Sequence, residues 1–196
     1  MKIKILLFVA IGFLAYSCNS PKEESNESPA YESAEAEKVD MVARGEYLVD
    51  VGGCHHCHSP KIQTDKGVVL DPDRILSGHP ANETLADYDS ETGKSFLLFN
   101  MSLTATIGPW GTSFAGNLTP DETGIGTWTE AQFINAIRKG KLKGLDGSRD
   151  LLPPMPWEDF AKMTDEDLKA IFAYLKTLKP VENIVPAPIP PQGAGQ

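Results

Sequence analysis

Apolar residues recur at helical spacing in three places along the chain. Leu168, Ile171, Phe172, Leu175 and Leu178 fall three or four residues apart, which puts them on one face of a helix. Thr164 and Asp167 cap its start and Pro180 stops it. Thr129 followed by Gln132 is a capping-box pattern that opens a second helix. Phe133, Ile134 and Ile137 share a face of that helix, and Gly140 ends it. A shorter first helix is predicted over Met41–Asp50, with Val42, Leu48 and Val49 apolar and Gly45 small. It runs straight into Gly52-Gly53-Cys54. Residues 59–127 show little periodicity and only weak strand signals. They are rich in the turn formers Gly, Pro, Asp, Asn and Thr. Such a long irregular stretch is uncommon in a compact domain unless it wraps something large. The pattern predicts a mainly α fold whose apolar core is too small without a filler.

The two ends read differently. Lys2 and Lys4 precede an apolar run, Ile5–Ala15, that falls short of the roughly 20 residues needed to span a bilayer. Leu14-Ala15-Tyr16-Ser17-Cys18 resembles a bacterial lipobox. Residues 1–17 are therefore expected to be a lipoprotein signal peptide, with Cys18 the lipidated N-terminus. Residues 19–40 hold seven acidic residues and two lysines among Ser, Asn and Ala. Such a segment cannot bury enough apolar surface to offset ordering entropy, so residues 18–40 are expected to form a disordered tether. Residues 41–180 form the domain, and residues 181–196 a Pro-rich tail that lies on the domain or extends from it. The expected location is the cell envelope, anchored by lipid with the domain in the periplasm. Lys22-Glu23-Glu24 resembles the acidic export signals of surface lipoproteins, which makes the outer-membrane surface the alternative.

Charge narrows the partners. Acidic residues outnumber basic ones 27 to 18, for a net charge of −9, so a phosphate backbone would be repelled and nucleic acid is not expected. An acidic surface suits a protein partner with a basic docking patch.

The missing filler is suggested by Cys54-His55-His56-Cys57-His58, a C-x-x-C-H run. Two thiols at this spacing can add to the two vinyl groups of one porphyrin, and the adjacent His58 is then placed to ligate iron. One covalent haem c is the expected cofactor. A thioredoxin-like pair would sit near a βαβ pattern, which is not seen. A zinc site would need further ligands that the spacing does not supply. A disulfide between Cys54 and Cys57 is the simple structural alternative. His55 and His56 read as exposed loop residues near the haem edge. The second axial ligand is to be found among Met101, Met155, Met163 and His79. Prolines 153, 154 and 156 fix the backbone around Met155 and forbid regular helix, so this methionine is held on a stiff loop and is favoured. Met163 fits a helix face, and His79, in a turn, is the alternative. Trp110, Trp128, Trp157 and Arg138 could donate to haem propionates, with packing or a solvated helix end as the competing roles. Asp121 and Glu122 read as a turn, not a calcium site.

At this level of detail the sequence resembles class I cytochrome c, and more closely the haem domains of alcohol and gluconate dehydrogenase cytochrome subunits. Gly45-Glu46-Tyr47-Leu48-Val49, the C-x-x-C-H run, and Asn117-Leu118-Thr119-Pro120-Asp121-Glu122-Thr123-Gly124-Ile125-Gly126 carry the likeness. So do Trp128, Phe133, Arg138, Pro154-Met155-Pro156-Trp157 and the segment from Asp165 to Leu175. The resemblance implies a class I cytochrome c fold with a long loop-rich insertion between the haem motif and the distal-ligand loop. It implies His58 as proximal and Met155 as distal ligand, and first and last helices that cross where Gly45 meets Tyr174 or Phe172. The function so implied is single-electron transfer between a dehydrogenase or quinol-oxidising donor and a terminal acceptor, with no substrate transformed. A haem enzyme with an open distal site, acting on peroxide or another small ligand, is the alternative.

Overall fold

The structure, a computed structural model, describes residues 29–191, with side chains from residue 40. The lipobox-like segment and Cys18 lie outside the described residues. Six helices and five short strands follow one another along the described chain.

Helix α1 spans Pro29–Val51. It therefore starts twelve residues before Met41, inside the segment read as a disordered tether. Ala30, Ala34 and Ala36, interleaved with Glu32, Glu35 and Glu37, are strong helix formers, and local propensity carries the helix back through them. Helix α2 is the five-residue Cys54–His58. Strands β1 (Lys61–Thr64) and β2 (Gly67–Leu70) form a hairpin. Helix α3 (Ser90–Gly93) is a single turn capped by Asp89. Strands β3 (Leu98–Phe99), β4 (Ala105–Gly108) and β5 (Gly111–Phe114) form an antiparallel sheet in that order. Helices α4 (Glu130–Lys139), α5 (Trp157–Phe160) and α6 (Asp165–Leu175) complete the fold. The stretch expected to be irregular thus contains two small sheets. Their strands are too short, and β4 and β5 too rich in Gly, Ala and Thr, to show an apolar alternation.

The helix signals are met where they were strongest. Thr129 accepts from the Gln132 backbone N–H, and the Gln132 side chain accepts in return from the Thr129 N–H. Gly140 closes α4 in the left-handed region, at φ 60°. Its missing side chain leaves room for the Trp157 ring, which a Cβ would strike. Thr164 caps α6 by accepting from the Asp167 N–H at 3.1 Å.

The core joins Leu48 and Val49 of α1, Phe133 of α4, and Leu168, Ala170, Ile171 and Leu175 of α6 to Leu76 and Ile125 from the loops. Helices α1 and α6 cross at Gly45. A Cβ there would overlap the Ala170 carbonyl and come within 2.8 Å of Tyr174 Cβ, so only glycine lets the helices approach this closely. Lys176, at the end of α6, donates to the Gly126 carbonyl at 2.6 Å and so ties the helix to the 117–126 loop.

The Pro-rich tail lies on the domain as far as it is described. Val181 donates to Thr119 Oγ1 at 3.1 Å, and the Val181 carbonyl accepts from Asn117 Nδ2 at 2.8 Å. Asn183 donates to the Ser77 and His79 carbonyls, and Ile189 exchanges two backbone hydrogen bonds with Thr112 of β5. Among the described residues, no helix is long and apolar enough to cross a membrane.

Candidate functional site

Helix α2 presents both thiols and the imidazole of the C-x-x-C-H run within little more than one turn. Gly53 precedes it in the left-handed region, at φ 69°, which turns the chain sharply out of α1 and into α2. Cys54 and Cys57 are half-buried and not joined to each other. Burial pushes the Cys54 thiol up to about 11 and raises Cys57 as well, so both are protonated at neutral pH. Protonated, unpaired thiols on one short helix are the form needed for addition to vinyl groups.

His58 is oriented from far along the chain. Its Nδ1 lies 2.8 Å from the Gly116 carbonyl oxygen. A carbonyl can only accept, so Nδ1 carries the hydrogen and Nε2 keeps a free lone pair. Burial holds the imidazole below its ordinary range, in the neutral state that can bind a metal. The Gly78 N–H donates to the His58 carbonyl at 2.8 Å, so the motif is fixed on its backbone too. None of these backbone partners has a residue-type signature, although Gly116 immediately precedes the Asn117-Leu118-Thr119-Pro120 segment.

The other two histidines of the run differ from expectation in lying on helix α2 instead of in a loop, and in the partial burial of His55. His56 is exposed, with Nδ1 3.2 Å from the Gly53 carbonyl. His55 is not exposed. It bridges Asp50 Oδ1, 3.2 Å from Nε2, and Ser59 Oγ, 3.0 Å from Nδ1. Ser59 is fully buried and also accepts from the Leu76 N–H, which draws the ring inward.

Met155 sits half-buried on the loop between α4 and α5. The loop is fastened at several points. Leu151 donates to the Gly140 carbonyl at 2.6 Å, Ser113 Oγ donates to the Pro153 carbonyl at 2.6 Å, and Trp157 donates to the Met155 carbonyl at 2.9 Å. Helix α5 follows at once and brings Phe160 up to Gly52, two residues before Cys54. The Ser113 anchor is invisible in sequence, because it depends on β5 lying next to the loop.

The remaining ligand candidates fall elsewhere. Met101 projects into solvent in the turn after β3, and Met163 packs at the edge of the core. His79 is fully buried, with Nδ1 2.9 Å from Thr104 Oγ1 and its ring tilted against Phe114 at 4.7 Å. Its N–H donates to Ala115, next to the carbonyl that holds His58. Its Nε2 is buried with no partner, and burial keeps the ring below its ordinary range.

Two propionate candidates are occupied by the protein itself. Arg138 donates to the Ala161 carbonyl and to Asp165 Oδ1, clamping α4 to the start of α6. Trp110 donates to Ser113 Oγ at 3.3 Å. Trp157 packs on Gly140, and Trp128 packs against the core. Asp121 accepts from the Thr123 N–H and hydroxyl, which lowers its carboxyl and uses it up in a turn.

Comparison with known proteins gives one consistent answer. The family described as Cytochrome c matches residues 42–179. The chain is 44% identical over 148 residues to a nicotinate dehydrogenase subunit of Pseudomonas putida, covering 75% of this chain and 9% of that protein. It is 34% identical over 135 residues to the gluconate 2-dehydrogenase cytochrome c subunit of Pantoea cypripedii, covering 68% of this chain and 22% of that one. It is 29% identical over 179 residues to the cytochrome c subunit of quinone-type alcohol dehydrogenase from Gluconobacter oxydans, covering 89% and 27%. The chain therefore spans about a quarter or less of the length of these relatives.

Proposed function

Because the chain belongs to the cytochrome c family, we propose that it is a membrane-tethered carrier of single electrons between a dehydrogenase or quinol-oxidising donor and a terminal acceptor. It carries covalently bound haem c and is related to dehydrogenase cytochrome subunits. The observation that carries the reading is helix α2: two unpaired thiols and an imidazole whose Nδ1 is taken by Gly116, leaving Nε2 for iron.

When bound, haem supplies a one-electron iron couple. The chain's own residues do the rest. Cys54 and Cys57 hold the macrocycle by thioether bonds, and His58 is the proximal ligand. The Gly116 carbonyl fixes the His58 ring and raises its basicity through the Nδ1 hydrogen. Met155 is the distal ligand, presented by a loop that Ser113, Gly140 and Trp157 fasten. With His58 and Met155 both committed to the haem, no open site would remain for peroxide, which would favour carriage of electrons. The β1–β2 hairpin and strands β3 and β4, all between Ser59 and Trp110, belong to the insertion. Residues 1–17 are the signal peptide, and Cys18 with its lipid holds the domain at the envelope, in the periplasm or at the outer-membrane surface. The donor and acceptor are redox proteins with basic docking patches, as the net charge of −9 suits.

Mass spectrometry of the denatured chain and visible spectra in both oxidation states test this reading together. Haem that stays attached, with the spectrum of a six-coordinate His/Met centre, is expected. A properly exported chain that releases its haem, or an oxidised spectrum of an open site, overturns it. Cys18→Ala is expected to release haem-loaded protein from membranes, and retention in the membrane fraction would disprove the anchor.

A further inference from the structure

Strand β3 and its flanks present exposed apolar side chains that none of the described residues covers. Leu97 and Phe99, at 49% and 43% exposure, flank Leu98 on one side of the strand, and Met101, 84% exposed, follows in the turn that leads to β4. Leu98 and Asn100 point the other way; Leu98 is partly buried, and Asn100 bonds to Glu83 and Thr104. Phe96, 65% exposed, extends the face toward Tyr88, whose ring lies beside Gly93 of α3. Phe96, Leu97, Phe99 and Met101 are thus exposed within six residues of chain, a concentration of apolar surface of the kind that marks a binding site.

The rim is acidic. From Asp87 to Met101 the chain carries Asp87, Asp89 and Glu91 against a single lysine, Lys94. Lys94 is itself paired with Glu91 at 2.7 Å. An anionic lipid surface would be repelled by this rim, and so would a second copy of the same face. A basic protein would be steered toward it.

The patch also borders the redox motif. Lys61, at the start of β1, donates to the Ser102 carbonyl at 2.5 Å and to the His56 carbonyl at 2.7 Å. One side chain thus links the residue after Met101 to helix α2. A partner seated on β3 would lie next to the Cys54–His58 helix, as short-range electron transfer requires. Resting on the carrier function proposed above, we infer that the outer face of β3, from Tyr88 and Phe96 to Met101, docks a redox protein with an apolar centre and a basic rim.

A lysine-rimmed mitochondrial cytochrome c is a suitable probe, used with the full-length, haem-loaded protein. Amide NMR shifts on adding the oxidised probe are expected to concentrate in residues 87–101 and around Lys61, and to vanish as salt is raised. Leu97→Ser with Met101→Ser is expected to slow electron exchange with the probe about tenfold, leaving visible spectrum and potential unchanged. Asp87→Asn with Glu91→Gln is expected to flatten the dependence of that rate on ionic strength. The inference is overturned by shifts that centre elsewhere, for example on exposed Tyr47 and Val51 of α1. It is also overturned by no association with the probe, by self-association that buries β3, or by binding to phosphatidylcholine–phosphatidylglycerol vesicles through this face. Failure of the carrier function looks different: the purified protein could not be cycled between oxidation states without consuming a substrate.

Discussion

The His58 ring and the Gly116 carbonyl meet at 2.8 Å across 58 residues of chain. The carbonyl is held in place by its neighbour. Asn117 is buried, its Oδ1 accepts from the Thr119 N–H and hydroxyl, and its Nδ2 donates to the Val181 carbonyl and to Thr123. Asn117→Ala would leave several of these groups unpaired and loosen the loop. A stability loss of about 1–3 kcal/mol is expected in denaturant unfolding. A weaker Nδ1 bond makes the imidazole a poorer electron donor, so the midpoint potential is expected to rise in a redox titration. A variant that is destabilised with an unchanged potential would show that the loop does not tune His58.

The α1–α6 crossing is a separate structural requirement. At Gly45 a methyl group would overlap the Ala170 carbonyl, a backbone atom that cannot swing aside. Gly45→Ala is therefore expected to push the helices apart and cost at least about 2 kcal/mol. Thermal unfolding would read the loss. Wild-type stability in this variant would mean that the helices tolerate a wider crossing.

The elements written by local rules were legible in the sequence. Helices α4 and α6 announce themselves through Thr129, Gln132, Gly140 and Thr164, because caps act within a few residues. The C-x-x-C-H motif was legible, but helix α2 that carries it was read as a loop, because five residues give no helical period. Strands β4 and β5 were not, because both are largely buried and built from Gly, Ala, Thr and Ser, so no polar face marks their alternation. Arg138 shows a second limit. Its charge suggested a propionate partner, yet its actual partners, Ala161 and Asp165, become neighbours only once α4 and α6 are folded together. The supports of the site were hidden for the same reason: Gly116 and Pro153 contribute carbonyls, which every residue has.

Buried His79 links stability to pH. Its folded pKa lies below the ordinary value because burial disfavours the charged ring, a trend that the Glu83 charge and a backbone hydrogen bond at Glu83 oppose without reversing. Below the unfolded value of about 6.5 the unfolded chain binds a proton that the folded chain refuses, so stability is lost as pH falls through that window. Above it, the histidine contributes no slope. His79→Leu in the haem-loaded protein is expected to remove this part of the dependence, seen as unfolding midpoints that converge with wild type between about pH 7 and about pH 5. Parallel curves for the two proteins would mean that His79 is charged or solvated in the folded state.

The same histidine decides the ligand question with Met155. His79 has its Nδ1 engaged by Thr104 and its ring against Phe114, on the side of His58 where Ala115 and Gly116 run. Met155 instead lies on a loop that Ser113 and Gly140 fasten and that leads directly to Phe160, next to Gly52 at the start of the haem motif. A neutral, soft thioether favours the reduced iron and raises the potential, whereas a second imidazole would lower it. Met155→Ala is therefore expected to abolish the sulfur-to-iron charge-transfer absorption, to lower the midpoint potential, and to let cyanide bind rapidly to the oxidised protein. Because the loop is anchored mainly through backbone carbonyls and amides of its other residues, the fold should survive the change. His79→Leu is expected to leave all three properties near wild type. If His79→Leu moves them and Met155→Ala does not, the centre is bis-histidine and the Met155 loop has a purely structural role.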